Sequence, residues 1–272
     1  MAKNNLLCRV DSFLPDIPET TGHISAVFNH SFDILADDFL INCTSKKETL
    51  HPLSLLGEQT MVEKAKKGQK VKFSYPHIKI GGRKFKLHPD IKPARNSKPI
   101  NKDLIPFNIR QLKKSLKISG QPTLLDKTDE SGLAGAAKLV QTKLNYLHLY
   151  AEDFIEFFGM GEGLTPTWDD FFAGILLTDR ISGNNKIISD REFFPKVKKQ
   201  TTRTSYWQLQ FAGTGKFSLQ FETLVHKMLR KKTTASDFIT PLASGHSSGT
   251  DICRGILVYL ESAISENSNS PQ

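Results

Sequence analysis

The chain has few of the residues that build a covalently stabilised or membrane-spanning protein. It contains only three cysteines, Cys8, Cys43 and Cys253, and these form no Cys-x-x-Cys pair. This spacing excludes a zinc ribbon and a redox dithiol, so we expect three small, buried apolar side chains. No run of 18 apolar residues occurs, which excludes a spanning helix. The first 20 residues lack a signal-peptide pattern, and a cytoplasmic protein that avoids membranes is the expectation.

A concentrated charge of one sign is also missing. Lys and Arg number 37 against 28 Asp and Glu, for a net charge of +9. The basic clusters are spread along the chain and mixed with acids, whereas a nucleic-acid binder gathers them on one face. We interpret them as solvated surface, so nucleic acid is not an expected partner. The basic excess favours small anionic ligands.

Alternating apolar residues predict β structure in the first third of the chain. Val71, Phe73 and Tyr75 alternate with polar residues, and Gly81-Gly82 is a two-residue hairpin signal. These patterns predict a small antiparallel sheet or barrel over residues 1–95. Residues 88–106 contain four prolines among polar residues, which indicates a linker.

After this linker the apolar residues recur at spacings of three and four, which is typical of helices. The predicted fold class is therefore α+β: a small N-terminal antiparallel β domain followed by a mostly α-helical C-terminal domain. We place the helical domain at residues 105–262 and a frayed tail at 263–272.

Two glycine-rich segments, residues 159–177 and 242–258, repeat one pattern. Both contain Ser/Thr-x-x-Asp-x-x-x-Gly-Ile-Leu, with Asp170 aligned on Asp251. A hydroxyl three residues before an acid is typical of a helix start, where it caps a free N–H group. The glycine one turn later permits close backbone approach at a cost near 1 kcal/mol.

The pattern predicts helix caps at Thr167 and Ser248, with Thr165 followed by Pro166 as an alternative start of the first helix. Two capped, tightly packed helices without further function would satisfy it. The flexible backbone at Gly159, Gly161 and Gly163 favours an additional role as a binding site, because a free helix N-terminus can bind an anion.

Both segments resemble the AllH family, which contains a subunit of a bacterial oxamate carbamoyltransferase. The resemblance lies in Gly163-Leu-Thr-Pro-Thr-Trp-Asp-Asp170 and Gly245-His-Ser-Ser-Gly-Thr-Asp251. We call these the first and second blocks. Thr167 and Ser247 stand where the family usually has Ser and Thr, so a hydroxyl remains at each position. The resemblance covers mainly residues 155–260.

The resemblance implies allantoin breakdown, in which oxalurate and phosphate give oxamate and carbamoyl phosphate, and it implies further carbamoyltransferase subunits as partners. In this reading His246 donates a proton to the leaving nitrogen, hydroxyls orient oxygens, and the acids orient these groups or hold a divalent cation. The candidate catalytic residues are His246, Asp170 and Asp251; the candidate substrate-binding residues are Gly161, Gly163, Thr165, Thr167, Ser247, Ser248 and Gly249; and the candidate metal ligands are Asp169 and Asp170.

Two alternatives stay open at the level of sequence. The chain could be a non-catalytic subunit that binds a carboxylate or a nucleotide while a partner performs the chemistry. It could also be a basic protein associated with nucleic acid, which salt-sensitive binding would reveal.

Overall fold

A β-barrel and a group of helices form two compact units. The computed structural model describes residues 5–93, 99–127, 132–146 and 148–268. One unit comprises residues 1–94 together with 217–220, and the other comprises residues 95–216 and 221–272. The short segment at 217–220 belongs with the barrel through tertiary contacts, since the main-chain N–H of Leu219 donates to the carbonyl of Leu50 at 3.0 Å.

Eight strands close the barrel in the order β1-β5-β4-β3-β2-β6-β7-β8. The barrel strands are β1 (Asn5–Arg9), β2 (Thr20–Val27), β3 (Ser31–Ala36), β4 (Phe39–Thr44), β5 (Ser54–Leu56), β6 (Lys70–Ser74), β7 (His77–Ile80) and β8 (Arg83–Ile91). Gly81 and Gly82, both with positive φ, join β7 to β8, as the hairpin signal predicted. Asp37 and Asp38 make the corresponding turn between β3 and β4.

The prediction of a simple antiparallel domain is wrong, although strands followed by helices agree loosely with the α+β layout. The first strand of the barrel pairs in parallel with the last, from Asn5 opposite Lys86 to Cys8 opposite Pro89. Strands β4 and β5 also pair in parallel, with Asn42 opposite Ser54. Closure removes the exposed edges that an open sheet would present. Alternation within each strand carries no information about the pairing of β1 with β8, because these two strands are far apart in sequence.

Apolar side chains fill the barrel. Phe32, Ile34, Phe73 and Ile78 are fully buried, as their alternation along the strands requires. The short helix α1 (Gln59–Glu63) buries Val62 against this core. The three cysteines are free and buried, as predicted.

The second unit is mainly helical. Its elements are α2 (Ile105–Ser119), α3 (Leu133–Tyr146), β9 (Leu149–Tyr150), α4 (Thr167–Ser182), β10 (Ile187–Ile188), α5 (Phe193–Gln200), α6 (Arg203–Ala212), α7 (Leu219–Arg230), α8 (Ser236–Leu242) and α9 (Ser248–Ser268). Within the described ranges, no helix combines the length and apolar character needed to cross a membrane. The predicted domain limits and the predicted frayed tail at 263–272 stay predictions, and residues 269–272 lie outside the described residues.

One predicted helix is shorter than its apolar periodicity indicates. The pattern continues from α3 to Phe158, but the helix ends at Tyr146 and a 3₁₀ segment covers Ala151–Phe157. Between them Leu149 pairs in parallel with Ile187 of β10. This strand pairing is a tertiary interaction, and it overrides the local helical preference.

Helices α4 and α9 cross in backbone contact at two glycines. A Cβ atom added at Gly174 would overlap the carbonyl oxygen of Ile252, and one added at Gly255 would overlap the carbonyl oxygen of Phe171. The two contacts are reciprocal, because the aligned pattern places Gly174 on Gly255 and Phe171 on Ile252. Glycine is thus required at both positions by space, as the close-approach interpretation predicted.

We predict that Gly174→Ala and Gly255→Ala each destabilise the helical unit by about 1–3 kcal/mol, because rigid backbone faces the new methyl group. Denaturant unfolding followed by tryptophan fluorescence measures this unit, since Trp168 and Trp207 both belong to it.

Gly135→Ala is the matched control for these variants. Gly135 lies within α3, and no described atom comes within 4 Å of the position its Cβ would take. Alanine there should stabilise the helix by roughly 0.5–1 kcal/mol. Wild-type stability of Gly174→Ala would contradict the close crossing.

Candidate functional site

The α4–α9 crossing brings the two sequence blocks into contact. The hydroxyl oxygens of Thr165, in the first block, and Ser248, in the second, lie 2.7 Å apart in a hydrogen bond. Both side chains are half-buried. The repeated pattern predicts that the two blocks come together in space as two helix starts, and this hydrogen bond confirms that they meet.

The predicted helix caps are wrong. Helix α4 begins at Thr167, its N-cap position is Pro166, and no side chain caps it. Helix α9 begins at Ser248, and the carbonyl of Ser247 accepts from the N–H groups of Thr250 and Asp251. The hydroxyls act across the crossing instead, since Ser248 lies by Asp170 and Thr167 lies by Asp251.

Loop carbonyls already occupy several first-turn N–H groups of both helices. The carbonyl of Met160 accepts from Trp168 N–H at 3.2 Å, and the carbonyl of Ser244 accepts from Gly249 N–H at 2.9 Å. Gly161 lies so close to the main-chain nitrogen of Thr167 that a Cβ atom would overlap it. The glycine loop therefore folds over the α4 N-terminus, which has fewer open donors than the sequence pattern suggests.

Asp170 is a fully buried acid beneath the paired hydroxyls. Within the described residues, neither of its carboxyl oxygens has a hydrogen bond of regular geometry. Burial raises the pKa of Asp170 well above its usual range, and the hydroxyls of Ser248 and Thr165 only partly oppose this. The carboxylates of Asp251 and Asp169 raise the pKa further. The raised pKa favours the protonated form of Asp170, in which the carboxyl group can donate a hydrogen bond to a neighbouring hydroxyl.

Asp251 is the corresponding acid on α9, and it is also fully buried. Burial raises the pKa of Asp251 to about 7, against the opposing effects of the Thr123 hydroxyl, the Arg254 guanidinium and the Thr167 hydroxyl. Arg254 in turn donates to Asp126 at 2.6 Å. The charge of Asp251 therefore changes near neutral pH.

Asp169 differs from its neighbour because both of its oxygens have protein donors. One oxygen accepts from the main-chain N–H of Gly159 at 2.9 Å, and the other accepts from the hydroxyl of Thr201. These bonds fasten the glycine loop and the C-terminal end of α5 to α4. Among the described residues, no three His, Cys, Asp or Glu side chains are grouped to hold a metal ion.

The remaining candidate residues divide by exposure. His246 and Gly163 are exposed, Gly161 and Ser247 are half-buried, and Gly249 is buried. A Cβ atom on Gly249 would overlap the carbonyl oxygen of Pro241, so this glycine serves close packing.

Sequence reasoning missed several residues that support the site. Thr202 donates to the carbonyl of Leu164 at 2.5 Å and caps α6 by accepting from Ser205 N–H. The Thr-rich run at 201–205 predicted a cap but not this contact with the glycine loop. Thr123 carries no local signal of its contact with Asp251.

An aromatic cluster underlies the start of α4. Trp168 is fully buried, and its ring lies 5.1 Å from that of Phe157 and 5.4 Å from that of Phe171, centroid to centroid. Phe158 meets Phe172 edge to face at 5.1 Å. These rings hold the glycine loop and the first turn of α4 in place.

Comparison with known proteins agrees with the resemblance. A family model described as oxamate carbamoyltransferase subunit AllH matches residues 157–260. The matched range covers less than half of the chain and contains both blocks, while the barrel lies outside it. No solved structure matches the chain.

We predict that Asp251 makes the helical unit less stable as pH rises. An acid with a raised pKa binds its proton more tightly in the folded state than in the unfolded state. Its stabilising contribution to the free energy of unfolding is therefore complete below the unfolded pKa of about 4. That contribution is lost as the pH rises through the folded pKa of about 7. The full loss is on the order of 4 kcal/mol, of which about 2.6 kcal/mol falls between pH 5 and pH 8, where urea unfolding measures it.

Asp251→Asn removes one titrating group and should reduce this pH dependence by the same amount, while Asp170, whose pKa is also raised, continues to contribute. Asp103→Asn, which changes an exposed carboxyl in the same unit, is the control and should leave the dependence unchanged. An equal pH dependence in wild type and Asp251→Asn would contradict a buried, titrating Asp251.

Proposed function

We propose that this chain is a subunit of a carbamoyltransferase resembling oxamate carbamoyltransferase, and that the paired starts of α4 and α9 form its site. The observation that carries the proposal is the family match over residues 157–260, because that range contains the two blocks joined by the Thr165–Ser248 hydrogen bond. A cytoplasmic location and association with other carbamoyltransferase subunits belong to the same proposal.

The proposed reaction is the phosphorolysis of oxalurate. A phosphate oxygen attacks the terminal carbamoyl carbon, the bond from that carbon to the oxamate nitrogen breaks, and this nitrogen takes a proton as it leaves. The products are carbamoyl phosphate and oxamate. Negative charge develops on the carbamoyl oxygen in the transition state, so hydrogen-bond donors placed around it accelerate the reaction.

The exposed groups of the blocks supply the donors in this proposal. His246 protonates the leaving nitrogen, since an exposed imidazole beside the blocks can serve as a general acid. Thr165 and Ser248 hydrogen-bond to substrate oxygens, with Ser247 and the backbone of Gly161 and Gly163 beside them. Substrate enters from the exposed side, where His246 lies.

The buried acids position these donors. Asp170, in its protonated form, orients the hydroxyls of Ser248 and Thr165 from below, and Asp251 does the same for Thr167. A divalent cation held by Asp169 and Asp170 is the alternative role for the acids. The hydrogen bonds on both oxygens of Asp169 favour the positioning role.

A second candidate function is a non-catalytic subunit that binds a carboxylate or nucleotide ligand. One observation favours it: loop carbonyls occupy first-turn N–H groups of both helices, which leaves fewer donors for an oxyanion. In that case a partner subunit supplies the reacting groups.

Substitution of His246 separates the two functions. With the partner subunits present, His246→Ala should lower carbamoyl phosphate formation by about 10²–10⁴-fold. Its melting temperature should stay near that of wild type, because the side chain is exposed. His148→Ala, another exposed histidine of the helical unit, is the control and should retain full turnover.

The Thr167→Ala and Ser248→Ala variants give the structural comparison. Each removes a hydroxyl beside a buried acid and should cost about 1–3 kcal/mol of stability.

Full turnover by His246→Ala would exclude its role as proton donor and support the binding subunit. Absence of carbamoyl phosphate from the wild-type complex would overturn the proposed reaction.

A further inference from the structure

One end of the barrel contains a cavity of about 260 Å³ with an apolar floor. The floor consists of Leu6, Phe32, Ile80 and Phe85, each at most 7% exposed. Met61 of α1 also lines the cavity. Of these, Met61 and Phe85 retain accessible surface, and their thioether and phenyl ring suit a flat, apolar molecule, because sulfur and aromatic edges both make favourable contacts with rings.

The rim of the cavity is polar and carries more positive than negative charge. Lys64 and Arg83 face one carboxylate, Glu58, and the amide of Gln69 lies beside them. The guanidinium carbon of Arg83 lies 5.2 Å from the centroid of the Phe85 ring, so this cation is held directly above the floor. A carboxylate placed here would meet both cations, whereas a ligand cation would meet a net positive rim.

Strand geometry explains why Arg83 belongs to the cavity. Successive side chains of a strand point to opposite faces, so Arg83 shares a face of β8 with Phe85, while Lys84 and Lys86 point outward. Phe85 is buried and both lysines are exposed, in agreement with this alternation. Lys84 is therefore a cation of the same strand that does not line the cavity.

We propose that the barrel cavity binds a small carboxylate with a flat apolar body, its ring on Met61 and Phe85 and its carboxylate between Lys64 and Arg83. Mouths of barrels are common ligand sites, and this volume, near the lower limit for such pockets, selects a compact molecule. The proposal concerns the barrel unit alone and does not rest on the carbamoyltransferase function.

Calorimetric titration of the full chain with two matched probes tests the proposal. The probes are 2-naphthoate, which carries the charge, and 2-naphthamide, which has the same shape without it. We expect 2-naphthoate to bind about tenfold more tightly than the amide. The double variant Lys64→Gln/Arg83→Gln should reduce naphthoate affinity to that of the amide, and Glu58→Gln should raise it.

Two further variants locate the site. Lys84→Gln removes an outward cation of β8 and should leave both affinities unchanged. Ala65→Phe fills the cavity from its half-buried wall and should abolish binding of both probes, provided circular dichroism shows a folded protein. No naphthoate binding, equal affinity for the two probes, or an unaffected double variant would each overturn the proposal.

Discussion

The close crossing of α4 and α9 is the constraint on which the helical unit depends. Gly174 and Gly255 let each helix reach the backbone of the other, and this approach places Thr165 within hydrogen-bond distance of Ser248. A larger residue at either glycine would separate the helices and, with them, the hydroxyl pair. The same two glycines therefore determine both the close packing of the helices and the position of the hydroxyl pair.

The crossing also determines the electrostatics of the site. Each helix contributes an acid near its start, and close approach buries both Asp170 and Asp251. Burial without full hydrogen bonding favours the protonated acids, and the negative charge of the nearby Asp251 raises the pKa of Asp170 further. If the helices were further apart, water would reach both carboxyl groups and their pKa values would return towards the usual range. Raised pKa values at paired acids are typical of functional sites.

Local patterns predicted those parts of the structure that depend on neighbouring residues. The Gly81-Gly82 hairpin, α2 and the start of α9 follow from turn signals and helical spacing. The parallel pairing of β1 with β8 depends on residues some 80 positions apart, and alternation does not encode it. The helix caps were wrong for the same reason: Thr167 and Ser248 have partners on the opposite helix, which a local motif cannot reveal.

For the candidate site, the two blocks predicted which residues meet, but not how each is used. The repeated Asp and Gly positions correctly indicated one crossing. Asp169 and Asp170 are adjacent in sequence, yet one fastens the glycine loop and the other lies under the hydroxyl pair. This difference depends on Thr201, which follows α5, and on Ser248 of α9, which are distant from each other in sequence.

Disulfide formation between the two blocks tests the central claim most directly. In the double variant Thr165→Cys/Ser248→Cys the two sulfur atoms would replace hydroxyl oxygens that lie 2.7 Å apart. The native cysteines are buried and should not compete. Peptide mass analysis after mild oxidation should find the 165–248 cross-link in the double variant. Two free, maleimide-reactive thiols and no cross-link would contradict a crossing that joins the blocks.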